Sequence, residues 1–289
     1  VGPLQSVELL LAMQRVSSPL LDLLMRGMSF LGSEFFYFGV LVFLYWKTQR
    51  ALAIRLAFVV LISLYVNFLL KALFALPRPA GVGLRILETP EDFSFPSGHA
   101  QSVASFWFFL AFFFRRPSYF WIAGVLTPCV ALSRMYLGVH YLGDVVFGAF
   151  LGMSFAWFLA RFFTRVSLPT LRPWAVGALC VLGSLMLFLF APSPQAVKVA
   201  GSLGGALSGY FLTTLLGLKE RNFLPKEYLW GTGMVLVAYL GGKMAPWSGA
   251  LWLFGRYFLV NCCATFFFPL LAESVRNRRA RGDSACRDP

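Results

Sequence analysis

"FSFPSGHAQSVASFWFFLAFFF", Phe93 to Phe114, joins two unlike pieces. A polar turn, Pro96-Ser97-Gly98-His99, runs directly into a helix-length apolar stretch dense in Phe. Ser97 suits a helix N-cap and Gly98 a permissive turn, so within this stretch alone His99 needs no further role. The apolar part, from about residue 98 to 114, has the character of a membrane-spanning helix, and similar stretches recur along the chain.

Composition extends that reading. Of 289 residues, 58% are hydrophobic and 13% charged, whereas a soluble domain carries about 25% charged residues. The chain therefore reads as all-α, a polytopic helical membrane protein with about nine spans. They are expected near 32–46, 51–76, 98–114, 119–138, 141–163, 173–191, 196–217, 228–245 and 249–272. Residues 1–31 mix apolar residues with Glu8, Arg15, Asp22 and Arg26, which predicts an amphipathic interfacial segment or a short helix pair. The tail 273–289 is polar, basic and expected to be disordered. A boundary near 166–172, "VSLPTLR", divides a core of 32–165 from additional C-terminal helices of 166–272. The chain starts at Val1 with no cleavable signal pattern, which points to a processed or trimmed chain.

The net charge of +13 would suggest nucleic acid in a soluble protein. Here it is expected to reflect loop charges that fix orientation, with no nucleic-acid partner. If the spans alternate, Lys47, Arg50, Arg115, Arg116, Arg161, Arg165, Arg172, Lys219, Arg221, Lys226 and the tail arginines share one side, which should be cytoplasmic. Arg15, Arg26, Arg78 and Arg85 fall on the other, diluted by Glu88, Glu91 and Asp92. Cys129, Cys180, Cys262, Cys263 and Cys286 show no metal-ligand spacing, and no disulfide scaffold is expected.

Three segments converge on the non-cytoplasmic face. In "KALFALPRP", Lys71 is a charge in the last turns of a membrane helix, a costly placement that is usually functional. Arg78 precedes a proline and belongs to the following loop. In "PSGH", a helix N-terminus offers free N–H groups and the positive dipole end, with Ser97 and Gly98 suited to an anion and His99 beside it. In "SRMYLGVHYLGD", Arg134 ends one helix, His140 opens the next, and Asp144 lies one turn on, where a carboxylate can fix the histidine's tautomer. Each segment alone has a structural explanation: a snorkelling lysine, a helix cap, a polar i,i+4 pair. Together they gather both histidines of the chain with Lys71, Arg78 and Arg134 on one face, and this is a constellation for in-line phosphoryl transfer. Glu88, Glu91 and Asp92 lack metal-ligand spacing and read as a solvated lip, so no metal and no cofactor is expected.

At these residues the sequence resembles the type 2 phosphatidic acid phosphatase superfamily, whose motifs K-x6-RP, PSGH and SR-x5-H-x3-D stand here as Lys71–Pro79, Pro96–His99 and Ser133–Asp144. The resemblance covers roughly residues 50–163. It implies a metal-independent lipid phosphatase with His140 as the nucleophile that forms a phosphohistidine, Asp144 orienting it and His99 protonating the leaving alkoxide. Lys71, Arg78, Ser97, Gly98 and Arg134 would bind phosphate. The implied substrate is a phospholipid, polyprenyl or sphingoid phosphate drawn from the membrane. A lipid phosphotransferase sharing the intermediate and a lipid-binding or transport protein built on the last helices stay open. A haloperoxidase is disfavoured, because those relatives are soluble.

Overall fold

The structure is a computed structural model that describes residues 6–165 and 173–285. The expected boundary at 166–172 and Cys286 lie outside the described residues. The chain is all-α: α1 (Val7–Gln14), α2 (Pro19–Phe30), α3 (Glu34–Trp46), α4 (Arg50–Phe74), α5 (Gly98–Phe114), α6 (Pro117–Tyr136), α7 (Leu142–Arg165), α8 (Pro173–Leu189), α9 (Pro194–Leu215), α10 (Pro225–Met244), α11 (Ala250–Cys262), a π-turn (Cys263–Phe267) and α12 (Phe268–Ala285). Prolines open α2, α6, α9 and α10, where a missing N–H costs nothing.

Among the described residues, three helices are long and apolar enough to cross a membrane by themselves: Arg50–Phe74, Leu142–Arg165 and Ala250–Arg278. The pair α2 and α3, bent by 50° at its break, would make a fourth. By this measure the expected count of nine is not reached. Gly98–Phe114 and Ala175–Leu189 are apolar but short. The glycines and polar residues of α9 and α10 dilute their hydropathy. A multi-pass integral membrane protein remains the architecture. α12 carries helix past residue 273 to Ala285, over much of the stretch where the sequence reading expects a polar, basic tail.

The chain packs as two compact units. The first comprises Val1–Val40 and Phe58–Leu168. Its centre is the contact of α5 with α7, made close by small residues. A Cβ on Gly148 would lie 2.5 Å from the Ser97 carbonyl, and one on Gly152 would lie 2.3 Å from that of Gln101. Glycine lets the two backbones meet, as in other small-residue membrane helix contacts. A polar seam ties α4 to α5. The Asn67 amide donates to Gln101 Oε1 at 2.7 Å, Gln101 donates to Ser63 Oγ at 2.8 Å, and Ser105 donates to Ser63 Oγ at 2.8 Å. Buried polar groups that satisfy one another in this way fix the register of the two helices.

The second unit comprises Leu41–Ala57 and Pro169–Pro289. Here α9 presents Gly201, Gly205 and Gly209 to Phe254, Phe258 and Thr265. The π-turn frees carbonyls from the helical ladder. Trp46 Nε1 takes that of Ala264 at 2.8 Å, while Tyr45 Oη and Thr213 Oγ1 take that of Thr265 at 2.8 and 2.7 Å.

Candidate active site

All candidate site residues lie in the first unit, where helix ends and one long loop meet. Lys71 occupies the last turn of α4 and is buried. Its ammonium donates to the Phe93 carbonyl, approaches that of Ser94 at 3.5 Å, and pairs with Asp92 Oδ2 at 3.1 Å. Arg78 follows in the loop. Its Nε donates to the Asp92 carbonyl at 2.8 Å, Nη2 to Asp92 Oδ1 at 2.5 Å, and Nη1 to the Val139 carbonyl at 2.7 Å. That last nitrogen also lies 3.3 Å from His140 Nε2.

His140 sits in the turn between α6 and α7 and is buried. Its Nδ1 faces Asp144 Oδ2 at 3.3 Å. The same oxygen accepts from Ser94 Oγ at 2.5 Å and from the Tyr141 N–H at 2.9 Å. Asp144 is thus fixed by two donors besides the histidine. Burial, and then the charges of Arg78, Lys71 and Arg134, hold the His140 imidazole well below its ordinary range, so the ring is neutral at pH 7. Burial alone would raise the Asp92 carboxyl, but the charges of Lys71 and Arg78 outweigh it and hold the group below the usual carboxylate range.

Ser97 stands at the N-cap position of α5, yet its side chain caps nothing. Its Oγ is buried without a hydrogen-bond partner. Its N–H donates to the Asp144 carbonyl at 3.0 Å, which ties the PSGH turn to α7. A Cβ on Gly98 would meet Asn67 Oδ1 at only 3.5 Å, an ordinary contact, so the protein's own packing does not demand glycine there. His99, half-buried, opens the first turn of α5 against the break between α2 and α3, where a Cβ on Gly32 would lie 3.0 Å from its backbone carbonyl. Arg134 is buried near the end of α6. Its Nη1 donates to Ser29 Oγ and to Glu88 Oε2, both at 2.5 Å, and its Nε is buried and unpartnered.

The solvated-lip reading of the loop is corrected here. Only Glu91 is exposed in that sense. Glu88 and Asp92 turn inward onto Arg134, Lys71 and Arg78, because buried cations attract the nearest available anions. Other contributors carry no motif. Gln14 of α1 brackets the loop, donating to the carbonyls of Arg85 at 2.8 Å and Tyr136 at 2.7 Å and accepting from the Arg85 N–H at 2.9 Å. Gly138, at φ +75°, lets the chain turn toward His140 where a Cβ would lie 2.5 Å from the Arg85 carbonyl. Ser94 and Ser29 touch Asp144 and Arg134 directly. Of these, only Gly138 could have been flagged from sequence, by its place inside the third motif. Among the described residues, no group of three or more His, Cys, Asp or Glu is arranged to hold a metal ion.

Comparison with known proteins matches residues 52–167 to the family model described as PAP2 superfamily. Phosphatidylglycerophosphatase B of Bacillus subtilis (strain 168) is 31% identical over 153 residues, 48% of this chain and 73% of that protein. The putative undecaprenyl-diphosphatase YbjG of Escherichia coli (strain K12) is 37% identical over 108 residues, 36% of this chain and 54% of that protein. A solved transmembrane PAP2-type phosphatidylglycerolphosphate phosphatase from Bacillus subtilis aligns with a TM-score of 0.47 at 28% identity, covering 55% of this chain and 84% of its own.

Proposed function

The chain belongs to the PAP2 superfamily, as a lipid phosphate phosphatase of that type, and on that premise we propose that it hydrolyses a lipid phosphate or diphosphate through a phosphohistidine at His140. One observation carries this reading: His140 is bracketed between Asp144 on Nδ1 and Arg78 on Nε2. Arginine has only donors, so the Nε2 it faces must hold the lone pair and Nδ1 the proton. A neutral imidazole with an unprotonated Nε2 beside a guanidinium is a nucleophile next to an anion holder.

The steps follow from the groups present. Nε2 of His140 attacks the terminal phosphorus in line, and the bond from that phosphorus to the leaving oxygen breaks, releasing the lipid alkoxide from a monophosphate or the lipid monophosphate from a diphosphate. His99 gives its proton to the departing oxygen, then takes one from the water that cleaves the phosphohistidine and releases phosphate. Lys71, Arg78 and Arg134 hold the equatorial oxygens. The unpartnered Ser97 Oγ and Arg134 Nε, with the space at Gly98, are the hydrogen-bonding capacity such a phosphate would use.

In this reading about nine helices cross the membrane, residues 32–165 carry the chemistry, and 166–272 add further membrane helices. Lys71, His99 and His140 face the non-cytoplasmic side, at headgroup depth, where a lipid phosphate is presented. The test is phosphate release by the purified chain, in excess EDTA, over a panel of phosphatidate, phosphatidylglycerophosphate, polyprenyl diphosphate and sphingoid phosphate. Turnover of at least one supports the reading. Binding without release from any of them would overturn it.

A further inference from the structure

Each phosphate-binding cation is held twice, once by a neutral anchor and once by a carboxylate. Lys71 keeps the carbonyls of Phe93 and Ser94, and adds Asp92 Oδ2. An ammonium has three donors, so these partners leave none over. Arg78 keeps the carbonyls of Asp92 and Val139, and adds Asp92 Oδ1. Arg134 keeps Ser29 Oγ, and adds Glu88 Oε2.

The two members of each pair differ in freedom. The side chains of Lys71 and Arg134 are 5% and 2% exposed and sit on helices, whereas those of Asp92 and Glu88 are 23% and 30% exposed. Both carboxylates lie in the stretch 75–97, which has no regular secondary structure. Either carboxylate can therefore swing away by rotation of its own side chain, while the loop backbone stays in place with the Asp92, Phe93 and Ser94 carbonyls still anchoring Arg78 and Lys71.

We propose that Asp92 and Glu88 are exchangeable stand-ins for phosphate oxygens, displaced as the phosphate group binds and returning as inorganic phosphate leaves. The proposal rests on the functional reading above and adds residues that set its affinity. Without them the three cations would hold product phosphate tightly, and an enzyme that ends on phosphate must let it go. With them, the incoming anion exchanges one set of charge-assisted hydrogen bonds for another, and the buried cations never lose a partner altogether.

The experiment is equilibrium binding of orthovanadate and of inorganic phosphate to the purified full-length chain in detergent, by calorimetry. It compares the unaltered protein with Glu88→Gln, Asp92→Asn, the double variant, and Glu91→Gln. Glu91, exposed in the same loop, reports the effect of merely removing a nearby negative charge. Exchange predicts tighter binding by about tenfold for each inward-facing carboxylate, since a charge-assisted hydrogen bond no longer has to be displaced, and a change of less than about twofold for Glu91→Gln, whose charge is exposed and screened. A misfolded variant cannot gain affinity, so the gain is diagnostic. Unchanged or weaker binding in Glu88→Gln and Asp92→Asn, or no anion binding by any form, overturns the proposal. The readout needs no turnover. A chain that binds vanadate in this pattern but hydrolyses no lipid phosphate defeats the functional reading alone, and one that hydrolyses lipid without the gain defeats the exchange alone.

Discussion

The guanidinium of Arg78 lies 3.3 Å from Nε2 of His140. A group that can only donate thereby faces the nitrogen proposed to attack phosphorus, and the opposite nitrogen faces Asp144 Oδ2 at the same distance. This pair of neighbours sets the tautomer and the orientation of His140.

The role of Asp144 can be graded. Asp144→Asn keeps an acceptor for Nδ1 but loses the charge that stabilises the histidine as its other nitrogen forms a bond to phosphorus. Turnover should fall about 10²-fold with KM little changed. Ser94→Ala, which removes the 2.5 Å donor to Asp144 Oδ2, should fall less, by about tenfold. Steady-state kinetics on whichever lipid phosphate the panel identifies will check both. A larger loss for Ser94→Ala than for Asp144→Asn would contradict the geometry.

The pH dependence has a definite sign. Burial and the neighbouring cations depress the His140 pKa in the folded chain below the ordinary imidazole value, about 6.5. In the free enzyme the neutral imidazole therefore survives into mild acid, and if it is the attacking group the acid limb of kcat/KM should lie below pH ~6.5. Arg78→Ala removes a depressing charge and should move that limb upward. The linked contribution to stability runs the same way. It is complete above the unfolded pKa and is lost as pH falls from there through the folded pKa, because the unfolded chain takes up the proton first. An acid limb that stayed put in Arg78→Ala would contradict the assignment.

The contact of α5 with α7 carries the site, since it brings the PSGH turn onto Asp144. Gly148→Ala would set a methyl group 2.5 Å from the Ser97 carbonyl. It should cost about 1–3 kcal/mol as overpacking, seen as a lower unfolding midpoint in detergent, and should reduce activity with it. Gly39→Ala, where a Cβ meets nothing within 4 Å inside α3, is the control and should not lower the midpoint, since Ala favours an open helix position over Gly.

Sidedness is testable at Val82, which is fully exposed in the site loop. A cysteine placed there should react with an impermeant thiol reagent added to intact cells. Labelling only after permeabilisation would reverse the proposed topology.

What was legible in the sequence follows from what spacing can encode. Lys71, Arg78, Arg134, His140 and Asp144 stand out because charged and titratable groups are scarce in an apolar chain and these fall at helix ends or, for Arg78, in the adjoining loop, and the structure brings them together. The partners of the cations were not legible. Asp92 and Glu88 reach Lys71, Arg78 and Arg134 through the path of a loop without periodicity, and nothing in "ETPEDFS" distinguishes the exposed Glu91 from its inward-facing neighbours. Gln14, Ser29 and Ser94 act across large sequence separations with ordinary polar side chains. The continuation of α12 was hidden for another reason. An arginine-rich polar stretch after a membrane helix reads as a solvated tail by composition, while a helix already nucleated can propagate into it.

The central claim, covalent catalysis by His140, is tested most directly by His140→Ala. The variant should retain the unfolding midpoint within a few degrees but release phosphate at about 10⁻⁴ of the unaltered rate or less. Rapid quenching of the unaltered enzyme should yield an acid-labile phosphoryl group that maps to residue 140. Near-normal phosphate release by His140→Ala would contradict the account.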